Sequence, residues 1–382
     1  MSMRIVLWGD IYLGNLQVQK EISNQIFAHV KEINSKSDLV IANLEAVISD
    51  DEEFKGILKT GPNMKMSSSW CGIIKEAGID ILTLANNHVG DYGEEGVINT
   101  ISKLQEAGIK TVGAGSNIEE AYRPIHLCIN GEKISVLAAC ENEFGVAENE
   151  KVGVAGLDEV KLLELIKGEK NNGYTVIVLF HGGMEFCPLP SPDARVRYRR
   201  MIDYGATLVA ATHTHCPQGF EEYNNGFISY SMGNFIFHDA SRARSKAWNS
   251  GYGIELLLEK SEIGKVNLIP YYYDTNKLIL KIHSNKDGFL DYLKQISAPI
   301  KDNETIEKFY IAWCILYSND YANFINNGND GRLDIEIENL FRCESHRERM
   351  LTFFKERRNF NKDEYKDILE KLEAFEKIPG MQ

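Results

Sequence analysis

IDILTLANNHVGDYG, residues 79–93, is an apolar run that ends on two amides, an imidazole and, three residues later, a carboxylate. Its first half reads as a short buried strand. A strand needs no Asn-Asn-His to fold, so the polar end points to a ligand site and decides how the rest of the chain is read. The same arrangement recurs. RIVLWG (4–9) leads into Asp10, DLVIANL (38–44) into Glu45, TVIVLF (175–180) into His181, and ATLVAAT (206–212) into His213-Thr214-His215. Between these runs lie helical patterns at Gln17–Asn34, residues 68–78, Glu94–Ala107, Leu157–Lys167 and Ala194–Tyr204. Strands joined by helices build parallel β-α-β units, and five strands present acids, amides or imidazoles at their carboxyl ends, where open α/β sheets form a ligand crevice.

Two further patterns make the sheets mixed. Asn130-Gly131, between PIHLCIN and EKISVLAA, is a strong two-residue hairpin signal, and Asn224-Asn225-Gly226 marks a second hairpin. YGIELLLEK (252–260) and KVNLIPYYY (265–273) add strands. After Asp274 the texture changes to amphipathic helical stretches, which divides the chain into an α/β domain (1–275) and a helical appendage (276–382). The apolar stripes of the appendage (Phe309, Trp313, Leu316; Leu351, Phe354) read as core or a dimer contact, and RCESHRERM (342–350) as a solvated basic helix.

The composition narrows the function. Among 382 residues, 42 Lys and Arg face 55 Asp and Glu, for a net charge of −13. Such a surface repels phosphate backbones, so nucleic acid is excluded as a general partner. No apolar run approaches the ~20 residues of a membrane span. The opening MSMRIVLWGD carries no apolar leader, and the seven cysteines form no C-x-x-C pair; the expectation is a reduced, cytoplasmic chain without a disulfide framework or cysteine zinc site.

Nine histidines occur in all, and four of them (88, 181, 213, 215) stand at strand ends. One such histidine is an ordinary loop residue; five coinciding strand ends point to a metal. Imidazole, carboxylate and amide without thiolate suit a divalent transition ion such as Mn, Fe or Zn. His-x-His on an extended segment sends its two rings to opposite sides, so the pair can serve two neighbouring ions. A carboxylate such as Glu45 or Asp10 could bridge ions about 4 Å apart.

Seven motifs in order, GD (9–10), NLE (43–45), ANNHVGDYG (85–93), GAG (113–115), HGGMEF (181–186), THTH (212–215) and YSMGNFIF (230–237), resemble the CapA-type capsule-biosynthesis (poly-γ-glutamate) family. That family is a branch of the calcineurin-like metallophosphoesterases. The resemblance runs from about Arg4 to Phe237 and leaves out the helical tail. It implies a four-layer α/β/β/α sandwich with one or two divalent ions. In that scheme Asp10 and His215 serve one ion, His181 and His213 the other, Glu45 bridges, and Asn87 ligates through its amide oxygen. His88 is the implied proton donor, held by Asp91. The implied activity is metal-assisted hydrolysis of a phosphoester or a related poly-γ-glutamate-linked substrate. The alternative is a non-catalytic, metal-containing accessory protein that binds polyanion or synthase partners. One departure stands out: Asp10-Ile11-Tyr12 replaces the Asp-x-His of the metallophosphoesterases.

Two side chains are expected on the small-molecule or polymeric anionic substrate, Arg195 near the start of its helix and Asn86 beside the ligand amide. Glu185, four residues after His181, reads as a carboxylate that orients a ligand histidine, or as a surface acid, and Asn234 as a loop-shaping or orienting amide.

Overall fold

The computed structural model describes residues 2–14, 16–239, 246–319, 321 and 331–378. Among these, two mixed sheets carry the α/β part. The larger has eight strands. Seven run in the order Ile279–Ile282, Glu262–Asp274, Ser250–Glu259, Met3–Tyr12, Leu39–Leu44, Ile81–Thr83, Lys110–Val112, and Asn234–Phe237 pairs with the far end of Met3–Tyr12. The smaller sheet runs Phe220–Tyr223, Gly226–Ser229, Ala206–Thr212, Thr175–His181, Glu132–Cys140, Ile125–Ile129.

The central strands explain why the sequence reads as unbroken apolar runs. Every residue of Leu39–Leu44, Thr175–His181 and Ala206–Thr212 is buried. Strands covered on both faces show no period-two alternation. One face of each sheet meets the other sheet, and the other face meets helices. Glu159–Asn171 packs on Thr175–His181, Pro192–Asp203 on Ala206–Thr212, and Gly93–Glu106 on Lys110–Val112. The layers are therefore helix, sheet, sheet, helix. Both hairpins form where the Asn-rich turns place them. Asn130 (φ 53°) and Gly131 (φ 85°) make one turn, Asn224 (φ 45°) and Asn225 (φ 64°) the other, so Gly226 already opens its strand.

Elsewhere the chain departs from the periodicity. The stretch 17–34 forms two helices, Lys20–Gln25 and Ala28–Asn34, because Ile26 and Phe27 both turn into the core and the Ile26 carbonyl accepts from Leu280 N–H at 2.9 Å. Helix Gly331–Arg342 is missing from the sequence reading, since LDIEI alternates with a strand-like period of two. The larger sheet extends to Ile282, and helix Lys286–Ser297 packs on Glu262–Asp274. Phe309 and Trp313 are buried in the main core, whereas Leu316 and Leu351 face solvent. No cysteine is paired, and all but Cys128 are buried.

RCESHRERM is not a solvated helix, which corrects the reading from its charge. Helix Glu344–Glu356 docks on residues 141–143: Ser345 N–H and Cys343 Sγ point at Glu141 Oε2 at 3.4 and 3.5 Å, and Glu344 accepts from Asn142 N and Nδ2 at 2.9 and 2.8 Å. Arg197 pairs with Glu141 at 3.5 Å. Burial opposes ionisation of Glu141, but Arg197, Ser345, His213 and the Gly183 N–H together hold its carboxyl below the usual range. A depressed carboxyl stabilises the fold above the unfolded-chain value of about 4.3, and that contribution disappears as pH falls through the folded value. Glu141→Gln is accordingly expected to lower stability by about 1–3 kcal/mol at pH 7. The gap from wild type should narrow as pH falls below the unfolded-chain value of about 4.3 and close only once the folded value is passed, as denaturant titrations at neutral and progressively acidic pH would read.

Candidate metal centre

The strand ends meet at one rim of the sandwich. Asp10 lies where the Met3–Tyr12 strand shifts register, between Asn43 on one side and Asn234 on the other. Gly9 permits this crossing, because a Cβ there would stand 1.9 Å from the Gly233 carbonyl oxygen. Glu45 follows its strand directly, its N–H bonded to Ile11 O at 3.0 Å. Asn86, Asn87 and His88 form the loop after Ile81–Thr83, and His181 ends its own strand. His213 (φ 100°) and His215 (φ 54°) both occupy left-handed backbone, a costly conformation for side-chain-bearing residues that marks a constrained site. Asp10 Oδ2 accepts from His213 N–H at 3.1 Å and helps hold that geometry.

These side chains converge. His181 Nε2 lies 3.0 Å from Asn87 Oδ1 and 3.0 Å from His213 Nδ1. Glu45 Oε1 stands 3.7 Å from His181 Nε2, 3.8 Å from His215 Nε2 and 3.8 Å from His88 Nε2. Two groups have ligand atoms all within 4.8 Å of one another: Glu45 with His181 and His213, and Asp10 with Glu45 and His215. Glu45 belongs to both, and the two imidazoles of the THTH stretch fall into different groups. Atoms bound about 2.1 Å from one ion stand about 3–4 Å apart, so the spacing fits.

The electrostatics fit as well. Asp10, Glu45 and Asp91 are fully buried, which is costly for carboxylates unless cations offset them. Burial drives the Asp10 carboxyl above its usual range, although the His213 N–H, the Thr212 hydroxyl and the Asn43 amide pull the other way. Burial, reinforced by the His213, His215 and His88 rings, pushes His181 far below the usual imidazole value. A neutral imidazole is the form that ligates. His215 Nδ1–H donates to Asn234 Oδ1 (2.8 Å), and the Asn234 Nδ2 in turn donates to Trp248 O at 2.9 Å. Glu185 Oε1 stands 3.9 Å from His215 Nε2 at the outer edge.

His88 sits beside the cluster with its Nδ1 2.7 Å from Asp91 Oδ2. The two residues expected on the substrate are elsewhere engaged, and both readings are corrected. Asn86 spends its amide inside the loop: Nδ2 donates to Leu44 O (2.7 Å) and Asn43 Oδ1 (3.2 Å), and Oδ1 accepts from the N–H groups of His88 and Val89. Arg195 is buried against the tail, its guanidinium on Ile300 O, Lys301 O and Asn303 Oδ1. Helical spacing gave Arg195 a face but not what that face meets.

Sequence reasoning missed three residues. Asn43 joins Asp10 Oδ1 (2.7 Å) to Thr83, Asn86 and His181. Glu141 lies under the His181 loop, so close that a Cβ on Gly182 would stand 2.6 Å from its Cγ; the strand-end rule applied to ISVLAAC would have found it. Lys59, buried and paired with Asp91, comes from the aperiodic stretch SDDEEFKGILKTGPN (49–63), which carries no signal at all.

Face-to-face sheets under outer helices, with acids, an amide and imidazoles gathered at one rim, define a four-layer α/β/β/α sandwich with a candidate metal-binding rim. Within that class, the chain belongs to the family described as bacterial capsule synthesis protein PGA_cap, whose profile matches residues 4–239. The capsule biosynthesis protein CapA of Bacillus anthracis is 33% identical over 259 residues, covering 64% of this chain and 62% of that relative, so the match spans about six-tenths of its length. The PGA biosynthesis protein CapA of Bacillus subtilis (strain 168) is 25% identical over 344 residues, 88% of this chain and 83% of the relative. A probable polyglutamine synthesis accessory protein of Mycobacterium tuberculosis (strain CDC 1551 / Oshkosh) is 26% identical over 216 residues, 53% of this chain and 56% of the relative. No helix among the described residues is long and apolar enough to cross a membrane.

Proposed function

We propose that this chain is a metal-dependent hydrolase acting on a phosphoester or a related capsule- or poly-γ-glutamate-linked substrate. The observation that carries the reading is Glu45, shared by two ligand groups and 3.8 Å from the outer nitrogen of His88. Asp10 and His215 would hold one divalent transition ion (Mn, Fe or Zn) and His181, His213 and Asn87 a second, with Glu45 common to both donor sets. When bound, such ions neutralise charge on substrate oxygens and make water more acidic. On a phosphoester, a bond forms from the water oxygen to phosphorus, the ester P–O bond breaks, the leaving oxygen takes a proton from His88 Nε2, and that nitrogen regains the proton released by the attacking water. Asp91 keeps the imidazole turned so that Nε2 faces the cluster.

A second reading has its own support. Tyr12 stands where metallophosphoesterases carry an imidazole, and its ring packs on Phe237 at 5.0 Å. A relative described as an accessory protein points the same way. In that reading the metal centre is a binding element for a polyanion or a synthase partner. One experiment separates the two. Purified protein is analysed for Mn, Fe, Co and Zn, reconstituted, and assayed on chromogenic phosphoesters and γ-glutamyl peptides. Bound metal with chelator-sensitive hydrolysis is the expected result. Metal without hydrolysis favours the accessory reading, and no metal after reconstitution overturns both.

A further inference from the structure

Lys59 is 2% exposed at its side chain, and burying an ammonium costs several kcal/mol before any pairing. Its ammonium donates to Asp91 Oδ1 in a short ion pair and to Asn87 O at 3.3 Å, and lies 3.1 Å from His88 Nδ1, the nitrogen that also faces Asp91 Oδ2. All three belong to the Asn87–Asp91 loop. The stretch that brings Lys59 in is wrapped around the same aspartate, since Ile57 N–H donates to Asp91 O (2.9 Å) and Met64 N–H to Asp91 Oδ2 (2.6 Å). The Phe144 ring lies 5.9 Å from the ammonium, and Asn339 of the helical tail reaches both Thr60 Oγ1 (3.5 Å) and Glu143 Oε2 (3.2 Å).

A fold seeking stability alone gains little from this arrangement, because a well-packed apolar side chain serves as well as a buried ion pair. What the ammonium does that an apolar group cannot is to fix a carboxylate, an imidazole edge and a carbonyl relative to one another. We propose that Lys59 is a positioning residue for proton delivery: it locks Asp91 and the His88 ring so that Nε2 faces the leaving oxygen. This inference rests on the hydrolase reading above.

The test pairs kinetics with a measurement that needs no turnover. Lys59→Met should lower kcat by about 10–100-fold on an alkyl phosphoester, whose leaving oxygen needs the proton, and far less on a nitrophenyl ester. KM and metal content should stay near wild type, and Lys59→Arg should recover part of the loss. In a His88→Ala background, Lys59→Met should cost nothing further, as expected of residues acting as one unit. Equal losses on both esters, an additive loss in that background or an unchanged kcat overturns the proposal. In metal-free protein, ring-nitrogen NMR signals assigned to His88 should shift in Lys59→Met and move back toward wild type in Lys59→Arg; signals unshifted in Lys59→Met, or in Lys59→Gln where the Met variant folds poorly, overturn the proposal. Wild-type protein inactive on every ester sinks the hydrolase reading instead, while the NMR arm still decides the role of Lys59.

Discussion

Glu45→Ala is expected to strip the protein of metal, lowering affinity by more than the roughly 10–100-fold that changes to outer partners of a metal site cost. The reason is topological. Glu45 is common to both ligand groups, so one truncation removes a donor from each. His215→Ala touches only the group with Asp10, and His181→Ala only the group with His213. Elemental analysis of the three variants after identical reconstitution should therefore show both positions depleted in the first and one in each of the others. Circular dichroism guards against misfolding. Equal metal content in Glu45→Ala and wild type would remove the shared carboxylate from the centre.

His88→Ala gives the complementary signature, in which turnover falls and metal stays. A positioned general acid typically contributes 10²–10⁴-fold, and a loss of about that size is expected in kcat. The imidazole faces the cluster through Nε2, 3.8 Å from Glu45, while its other nitrogen is committed to Asp91. Metal content should thus remain near that of wild type. Activity that survives the substitution would take His88 out of the mechanism, and metal lost along with activity would make it a ligand instead.

Much of this centre was legible in the chain because the strands that carry it are buried on both faces. Their apolar runs are unbroken, and each abrupt polar ending at Asp10, Glu45, Asn87, His181 and His213 stands out against them. What escaped detection depends on contacts between elements distant in sequence. Lys59 reaches Asp91 from an irregular stretch with no periodicity to locate it. Arg195 looked like a substrate contact until its face met the segment Ile300–Asn303, and Asn86 looked like another until its amide was spent on Leu44 and Asn43. The charge of RCESHRERM suggested solvent, but Cys343, Ser345 and Met350 face inward, which the string of arginines conceals.

The left-handed backbone at His213 and His215 has a consequence for how a guest would be received. Two strained residues, clasped by Asp10 and Asn234, are set in place when the chain folds. The ordering cost of that loop is borne by the whole sandwich, so an arriving cation finds its seat already shaped instead of having to mould it.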